Sequence, residues 1–310
     1  MRIRRITWAV LALALAAGQG RGDDKDQVIV PKTYTYKTVD QVELKADVFR
    51  PAADVIRPVV LHIHGGALIM GNRNLSAKPG TLTDALLKAG YVVVSIDYRK
   101  APAVKLPAIV EDVQDACKWV RGKGPELFKI DPKKLAVMGG SAGGYLTQMT
   151  GFRVEPRPTV LVSFFGYGDI AGAWYSRPDA FYRKQPLVTK EEAYKEGGGR
   201  LYLYLRQQGL WPKELTGHDP DAEPKAFDPF CPLRNVTKDY PPILLVHGDK
   251  DTDVPYEQSV LMAKELKAKG VAHEFITVPD GGHGFGGKAM AESAGKIYEQ
   301  VVAFLKKQMK

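Results

Sequence analysis

Short β-branched runs alternate with amphipathic helical patterns along most of this chain. Residues 91–97, 135–138 and 243–246 are apolar runs of this kind, and they are typical of strands that are buried on both faces of a parallel sheet. Over residues 106–120, apolar side chains recur at steps of three and four, which indicates a helix with one face against a sheet. The alternation predicts an α/β fold, with a mostly parallel central sheet and helices on both of its faces.

This alternation lapses between about residues 169 and 239. A structureless loop of that length is improbable within a folded domain, so we expect an inserted cap over 169–239 with one helix around residues 190–208. The segment is rich in prolines and aromatic residues, and we expect most of the aromatic side chains to form the core of the cap itself. They are Trp174, Tyr175, Phe181, Tyr182, Tyr202, Tyr204 and Trp211.

Length and composition favour one large domain. The chain has 310 residues, of which 45% are hydrophobic and 25% charged, as is ordinary for a globular protein with a substantial core. The net charge of +9 is not concentrated in a basic stripe interleaved with aromatic residues, so a nucleic-acid partner is not expected. We predict one domain over 28–310, and the sequence carries no indication of an oligomeric state.

The first residues have the pattern of a targeting segment. A basic stub, Met1-Arg-Ile-Arg-Arg5, precedes an apolar run and then several small residues, which is the order found in secretory signal peptides. The apolar run is shorter than the roughly twenty residues that a membrane-spanning helix needs, although an uncleaved anchor is the alternative. We therefore expect a signal peptide over 1–20, export to the periplasm or the extracellular space, and no stable membrane span after its removal.

The chain contains two cysteines, Cys117 and Cys231. Two cysteines in a chain of this length are not a disulfide framework. Cys117 falls on the apolar face of the predicted helix at 106–120, which favours a buried free thiol, while pairing of the two cysteines stays open at this stage.

A glycine-rich turn marks the most informative position. Gly139-Gly-Ser-Ala-Gly143 follows one predicted strand directly and precedes a helix. A serine on such a tight turn is held clear of the backbone, as a nucleophile requires, and the flanking glycines avoid steric clashes. Ser141 is therefore the candidate nucleophile. The alternative is a glycine-rich helix start without chemistry; a nucleotide-binding loop is excluded because no Gly-Lys-Ser/Thr follows.

A serine hydroxyl needs a base and an orienting acid to become a nucleophile. The segment His247-Gly-Asp-Lys-Asp251-Thr-Asp253-Val-Pro255 follows a predicted strand and offers three alternating aspartates. A calcium loop would need glycine at its sixth position and glutamate at its twelfth, where this chain has Val254 and Val260. Asp251 is our candidate acid, with Asp253 as the second choice.

His283 is the candidate base. It lies after the last predicted strand in Asp280-Gly-Gly-His-Gly284, and it completes the chain order serine, acid, histidine that a nucleophile elbow of this kind uses. His273 lies before that strand rather than after it, so it should fall at the wrong end of the sheet.

Donors for a developing oxyanion should be backbone N–H groups. One is expected from Ala142, directly after the nucleophile, and another from the loop after an early strand, where Gly65 and Gly66 follow His64. We expect His64 to brace this loop rather than to take part in the chemistry.

Taken in order, these motifs resemble the α/β-hydrolase superfamily over roughly residues 35–310. Within that superfamily, the chain is similar to esterases and lipases related to hormone-sensitive lipase and to bacterial feruloyl-esterase-like carboxylesterases. The motifs that carry the resemblance are His64-Gly-Gly, Asp97-Tyr-Arg, Gly139-Gly-Ser-Ala-Gly-Gly144, His247-Gly-x-x-Asp251-x-x-Val-Pro255 and Gly282-His-Gly-Phe285. The resemblance also implies that the acid is the aspartate three residues before Val-Pro, which is Asp251.

The chain departs from that family at two places. Many members have a third glycine and an aromatic residue after His-Gly-Gly, where this chain has Ala67 and Leu68, and many have aspartate before the nucleophile, where this chain has Gly140. The cap at 169–239 matches no family pattern, so the resemblance does not indicate a substrate.

The resemblance implies cleavage of a small-molecule carboxylic ester through an acyl-enzyme, a reaction that needs no metal and no organic cofactor. A peptidase of the prolyl-oligopeptidase type would use the same residues, but such enzymes usually carry a further N-terminal domain. A carbohydrate ester deacetylase is a second alternative with the same machinery. A non-catalytic binding protein on this fold is the third, and it is disfavoured by the presence of both the serine and the histidine.

Overall fold

One twisted sheet organises the structure, a computed structural model that describes residues 29–285 and 288–310. Its eight strands among these residues are β1 Lys32–Val39, β2 Val42–Phe49, β3 Arg57–Ile63, β4 Val92–Ile96, β5 Ile130–Gly140, β6 Val160–Phe164, β7 Ile243–Gly248 and β8 His273–Val278. Their order across the sheet is β1-β2-β4-β3-β5-β6-β7-β8. All neighbours from β4 to β8 are parallel, and β2 is antiparallel to both β1 and β4. The predicted α/β fold with a mostly parallel sheet is confirmed.

Helices cover both faces of this sheet. Outside the cap they are α1 Leu82–Lys88, α2 Leu106–Phe128, α3 Ala142–Arg153, α8 Glu257–Ala268 and α9 Lys288–Gln308. Apolar residues of α2, α3 and α8 belong to one buried cluster, and those of α1 and α9 belong to a second cluster on the opposite face. Strand β4 shows the reason for the division, since Val92, Val94 and Ile96 face the first cluster and Val93 faces the second. Successive side chains of a strand point to opposite faces.

The cap segment, residues 169–239, lies between β6 and β7 and contains the helices α4 Ala173–Ser176, α5 Lys190–Glu196, α6 Gly198–Gln208 and α7 Trp211–Thr216. The single helix expected around residues 190–208 is two helices. A capping box between Thr189 and Glu192 begins α5. The chain then breaks at Gly197, whose φ of 67° lies in the left-handed region that glycine adopts without strain.

Most aromatic side chains of the cap pack in the buried cluster that also includes one face of the sheet, rather than forming a separate core of the cap. Tyr175 and Trp211 stack with ring centroids 4.0 Å apart, and Tyr167, directly after β6, packs edge-on against Tyr175. All three side chains are buried, whereas Phe181 is exposed. Most of the cap's aromatic surface is thus used to hold the cap on the sheet.

The carboxyl ends of the parallel strands meet at one edge of the sheet. The loop of Gly65 follows β3, Ser141 follows β5, Asp251 follows β7 and His283 follows β8. His273 is the first residue of β8 and lies at the opposite edge, as predicted. In open α/β sheets, ligands bind in the crevice outside the carboxyl ends of the strands.

Two further expectations concern the rest of the chain. Cys117 and Cys231 are buried free thiols, so they do not pair. Among the described residues, no helix combines the length and apolar character needed to cross a membrane. The predicted signal peptide at 1–20 and the domain boundary at Val28 lie outside the described residues.

Candidate active site

Ser141 occupies a strained turn between β5 and α3. Its φ is 56° and its ψ is −123°, a combination that costs a residue with a side chain on the order of 1–3 kcal/mol. The turn is fixed on both sides, because Ser141 N–H donates to the carbonyl of Phe164 at 2.9 Å and its own carbonyl accepts from Tyr145 N–H at 2.9 Å. The turn presents the serine hydroxyl to His283, whose Nε2 lies 3.0 Å from Oγ.

The glycines of this turn allow α3 to lie directly against β3. A Cβ on Gly143 would lie 2.1 Å from the carbonyl oxygen of Ile63, and a Cβ on Gly139 would lie 2.5 Å from the same oxygen. Neither contact is possible, so the close packing of helix and strand requires glycine at both positions.

Gly140, the residue directly before the serine, adjoins an aromatic ring. A Cβ at Gly140 would lie 2.8 Å from Cζ of Phe165, and the Phe165 ring packs edge-on against the imidazole of His283 with centroids 4.9 Å apart. Phe165 therefore occupies the space beside the turn and helps to orient the histidine. Sequence reasoning missed this residue.

His283 connects the serine to an aspartate. Its Nε2 lies 3.0 Å from Ser141 Oγ, and its Nδ1 lies 2.8 Å from Asp251 Oδ2. A carboxylate can only accept here, so Nδ1 carries the proton and Nε2 is free to accept the serine hydroxyl. The structure thus brings together Ser141, Asp251 and His283 from three separate loops.

Asp251 is buried and held in place from several directions. Its Oδ1 accepts the backbone N–H groups of Asp253 at 2.8 Å and Val254 at 2.9 Å, while its Oδ2 receives His283. Burial would raise the pKa of this carboxyl, but hydrogen bonds from His247 and His283 outweigh burial and hold it well below its usual range. Asp251 is therefore a fixed anion behind the imidazole.

His247 braces this carboxylate, a contact that sequence reasoning also missed. It is fully buried, with Nδ1 2.7 Å from Ser259 Oγ and Nε2 3.1 Å from the carbonyl of Val254. The same Nε2 lies 3.3 Å from Asp251 Oδ2. Since the Val254 carbonyl can only accept, Nε2 carries the proton that also faces Asp251. The His-Gly pattern before the acid was the available signal.

Asp253, the second candidate acid, faces the other nitrogen of the imidazole. Its Oδ2 lies 3.4 Å from His283 Nε2. Its Oδ1 is held by the cap, where it accepts from Tyr182 OH at 2.8 Å, Tyr202 OH at 2.6 Å and Arg206 Nη1 at 2.9 Å. The two aspartates therefore take different positions: Asp251 lies behind the ring, and Asp253 lies beside the nitrogen that faces the serine.

Arg206 on α6 links the cap to this carboxylate. Its side chain is 1% exposed, and it also donates from Nη2 to Asp179 Oδ2 at 2.6 Å. Its guanidinium lies 4.7 Å from the ring centroids of both Tyr175 and Tyr182, within the range of cation–π attraction. A buried cation is thus paired with two carboxylates.

The charges around His283 oppose one another. Burial would lower the pKa of the imidazole, but the hydrogen bond to Asp251 and the negative charges of Asp253 and Asp251 raise it above its ordinary value, against a smaller lowering effect from Arg206. The net direction is upward, so the histidine holds a proton more readily than an isolated imidazole.

The loop His64-Gly-Gly-Ala-Leu68 lies against the serine turn. A Cβ on Gly65 would lie 2.9 Å from the carbonyl oxygen of Gly140 and 3.5 Å from Cβ of Ser141. The loop turns sharply, with φ of 107° at Gly66, 54° at Ala67 and 61° at Leu68. Gly65 is thus placed beside Ser141. Ala142 is the first residue of α3 and follows Ser141 directly in the chain.

Two aromatic residues hold this loop. Tyr98 donates from its hydroxyl to the carbonyl of His64 at 3.0 Å and stacks on the His64 ring at 4.2 Å. Trp211 of the cap donates from Nε1 to the carbonyl of Ala67 at 3.2 Å. His64 donates from Nδ1 to the carbonyl of Gly65 at 2.7 Å, and burial lowers the pKa of its imidazole to about 4. This neutral, buried ring has the bracing position expected of it.

The chain belongs to a family with the alpha/beta hydrolase fold, whose model matches residues 60–286. The matched range contains the loop of Gly65, the serine turn, both aspartates and His283. The resemblance to α/β-hydrolases inferred from the motifs is therefore confirmed.

Similar proteins include esterases and much longer synthases. Esterase LipC of Mycobacterium tuberculosis is 29% identical over 74% of this chain and 53% of its own length. The non-reducing polyketide synthase ascC of Acremonium egyptiacum is 28% identical over 86% of this chain and 15% of its own length. The chain thus spans about half of the first of these relatives and a small part of the second.

Solved structures with the same fold cover nearly the whole chain. A truncated carbohydrate esterase from gut microbiota matches with a TM-score of 0.67 at 23% identity, covering 91% of this chain and 97% of its own. Esterase Est2 of the planctomycete Thermogutta terrifontis, with propionate bound, matches with a TM-score of 0.65 at 24% identity, covering 89% and 94%. These likenesses establish the fold.

Proposed function

We propose that this protein is a serine hydrolase that cleaves carboxylic esters through an acyl-enzyme on Ser141. The observation that carries the proposal is the continuous set of contacts from Ser141 Oγ to His283 Nε2 and from His283 Nδ1 to Asp251 Oδ2. It lies at the carboxyl edge of the sheet in a member of the α/β-hydrolase family. The esterases among the chain's relatives and structural neighbours support the same reaction class.

In the first step, His283 Nε2 takes the proton of Ser141 as Oγ attacks the ester carbonyl. Asp251 keeps the imidazole in the required tautomer and stabilises its positive charge. The backbone N–H of Ala142 and those of Gly65 and Gly66 are the proposed donors to the oxyanion. Loss of one such donor costs about 2.7–4 kcal/mol of barrier in other serine hydrolases.

When the tetrahedral intermediate collapses, the bond from the acyl carbon to the alcohol oxygen breaks, and His283 returns its proton to that oxygen. The alcohol leaves. Water, deprotonated by the same imidazole, then attacks the acyl carbon and releases the acid and the free serine. The chain's own residues complete both steps without a further reactant besides water.

The test is turnover on a panel of p-nitrophenyl esters of increasing acyl length. For Ser141→Ala we expect kcat to fall by roughly 10⁴-fold or more on every ester that the native protein cleaves, with the fold unchanged by circular dichroism. Ser76→Ala is the matched control, because Ser76 is an exposed serine whose hydroxyl accepts a hydrogen bond from the backbone N–H of Lys78 and takes no part in the contacts of His283. Retention of most activity in Ser141→Ala would reject Ser141 as the nucleophile, and a native protein inactive on the whole panel would favour a binding role.

We also propose that residues 1–20 direct export of the protein. The basic stub and the short apolar run support this proposal. Expression of the full chain in a bacterial host, followed by mass spectrometry of the purified protein, is expected to give a mature form lacking about twenty residues, the length typical of such segments. Recovery of the uncleaved chain from the cytoplasm would contradict export.

A further inference from the structure

The carboxylate of Asp253 has two oxygens with very different surroundings. Oδ1 accepts three hydrogen bonds from the cap, from Tyr182, Tyr202 and Arg206. Oδ2 lies 3.4 Å from His283 Nε2, and in the described part of the chain it accepts no hydrogen bond. The side chain is only 16% exposed. One oxygen thus fixes the carboxylate, and the other is presented to the reacting nitrogen.

We propose that Asp253 Oδ2 accepts a hydrogen bond from a hydroxyl on the alcohol portion of the substrate, so that the enzyme selects esters of polyhydroxy alcohols. This inference rests on the ester hydrolysis proposed above and names the substrate class of that same site.

The position of this substrate hydroxyl follows from the transfer of the proton from His283 Nε2 to the departing alcohol. His283 Nε2 must come within hydrogen-bond distance of the departing alcohol oxygen. A hydroxyl on the neighbouring carbon of that alcohol lies about one hydrogen-bond length further on. Because Oδ2 is 3.4 Å from Nε2, the nitrogen, the alcohol oxygen, the second hydroxyl and Oδ2 can form a closed ring of contacts. The site therefore accepts a donor at this position.

The energetics favour the same class of alcohol. The Asp253 side chain is 16% exposed and Oδ2 is not among the fully buried polar atoms, so a bound substrate must replace its water with a donor or incur a cost. A hydrogen bond to an ionised group is stronger than one between neutral groups. A hydroxyl supplies the missing donor. An alkyl chain in the same place would displace water from the carboxylate without donating a hydrogen bond to it. An anionic group would be repelled by the negative charge of Asp253.

The cap makes the position of this acceptor rigid. Arg206 is paired with Asp179 as well as Asp253, and it lies between the rings of Tyr175 and Tyr182. An acceptor held in this way discriminates strongly, because it cannot turn away when a substrate lacks the hydroxyl.

The test compares hydroxyethyl acetate with propyl acetate, which differ by a hydroxyl in place of a methyl group. The measured quantity is the ratio of their kcat/KM values, divided by the ratio of their rates of hydrolysis by hydroxide, which removes the difference in intrinsic reactivity. We expect the native protein to favour hydroxyethyl acetate by about tenfold or more, and Asp253→Asn to lose most of that preference.

Asp179→Asn is the matched control. It removes a carboxylate from the same arginine, but Asp179 is not among the charged groups that face His283. In Asp179→Asn, the corrected ratio of kcat/KM values for hydroxyethyl acetate and propyl acetate is expected to stay at the native value, even if turnover falls on both esters. Equal losses on both substrates in Asp253→Asn, with the ratio unchanged, would show that Asp253 only anchors the cap and would overturn the proposal.

A second measurement needs no variant. Methoxyethyl acetate carries an oxygen at the same position but cannot donate, so the native protein should favour hydroxyethyl acetate over it by about tenfold. Equal kcat/KM values for the two esters would overturn the inference while leaving ester hydrolysis intact. The proposed ester hydrolysis fails if the native protein is inactive on every ester or if Ser141→Ala keeps its turnover, so the two failures are distinguishable.

Discussion

At the scale of single residues, the site depends on which nitrogen of His283 each aspartate faces. Asp251 lies 2.8 Å from Nδ1 and sets the tautomer, whereas Asp253 lies 3.4 Å from Nε2 and is held by the cap. The two carboxylates are two residues apart in the sequence, yet only the first is placed behind the ring. They should therefore respond differently to the same substitution.

We expect Asp251→Asn to reduce kcat on p-nitrophenyl acetate far more than Asp253→Asn does. Loss of the acid from a serine triad costs on the order of 10⁴-fold, because the imidazole then favours the wrong tautomer. The Asp253 substitution should cost about tenfold or less on this ester, whose alcohol portion has no hydroxyl for that carboxylate to bind. Steady-state kinetics decide the question, and the opposite order of effects would move the acid assignment to Asp253.

The pH dependence of kcat/KM should report His283. A general base must be unprotonated to act, so activity is lost as the pH falls through its pKa. That pKa is raised above the ordinary 6.5, because the hydrogen bond to Asp251 and the charges of Asp253 and Asp251 outweigh burial and Arg206. The acid limb of the profile should therefore have its midpoint above 6.5, and Asp253→Asn should shift it downward. A native midpoint below this value would contradict the electrostatic account.

At the scale of elements, two contacts decide how the site is built: the cap helix α6 against the acid loop, and helix α3 against strand β3. In the first, Arg206 is buried between two carboxylates. In the second, Gly143 lets the helix approach the carbonyl of Ile63.

Replacement of Arg206 by methionine should destabilise the protein by about 3 kcal/mol or more, because two carboxylates lose their buried cation. Arg200→Met is the matched control on the same helix. Arg200 is 35% exposed and pairs only loosely with Glu192 and Glu196, both at 3.9 Å, so its loss should cost at most about 0.5 kcal/mol. Urea unfolding measures both changes, and equal shifts would show that the Arg206 network contributes little.

Gly143→Ala should abolish activity and lower the free energy of unfolding, because the added Cβ would lie 2.1 Å from a backbone oxygen that cannot move away. Gly122→Ala is the control within α2, where nothing lies within 4 Å of the added Cβ. It should stabilise the protein by roughly 0.5–1 kcal/mol, since glycine is unfavourable inside a helix. Wild-type activity in Gly143→Ala would contradict the close packing described for α3.

What the sequence could predict here was local. The strand, turn and helix around Ser141 lie within a few consecutive residues, and each of the short motifs that contain Ser141, Asp251 and His283 is equally local. The contacts of Asp253 with Arg206 and the packing of Phe165 on His283 join residues that are 47 and 118 positions apart, and no periodicity records them. The break at Gly197 was missed because the helical pattern resumes at once on its other side.

At the scale of the whole molecule, the parallel sheet gathers short loops from distant parts of the chain at one edge. Ser141 and His283 are 142 positions apart and meet at 3.0 Å. The cap contacts the loops at this edge through Trp211, which donates to Ala67 in the loop of Gly65, and through Arg206, which donates to Asp253. We infer that this assembly makes Ser141 a nucleophile.

A fluorophosphonate probe tests that claim most directly, since it reacts only with an activated serine. The intact protein is treated at a pH above the pKa of His283, and the modified residue is located by peptide mass spectrometry. We predict a single adduct on Ser141, none in Ser141→Ala, and strongly slowed labelling in His283→Ala. An unlabelled native protein, or an adduct on another residue, would contradict the account.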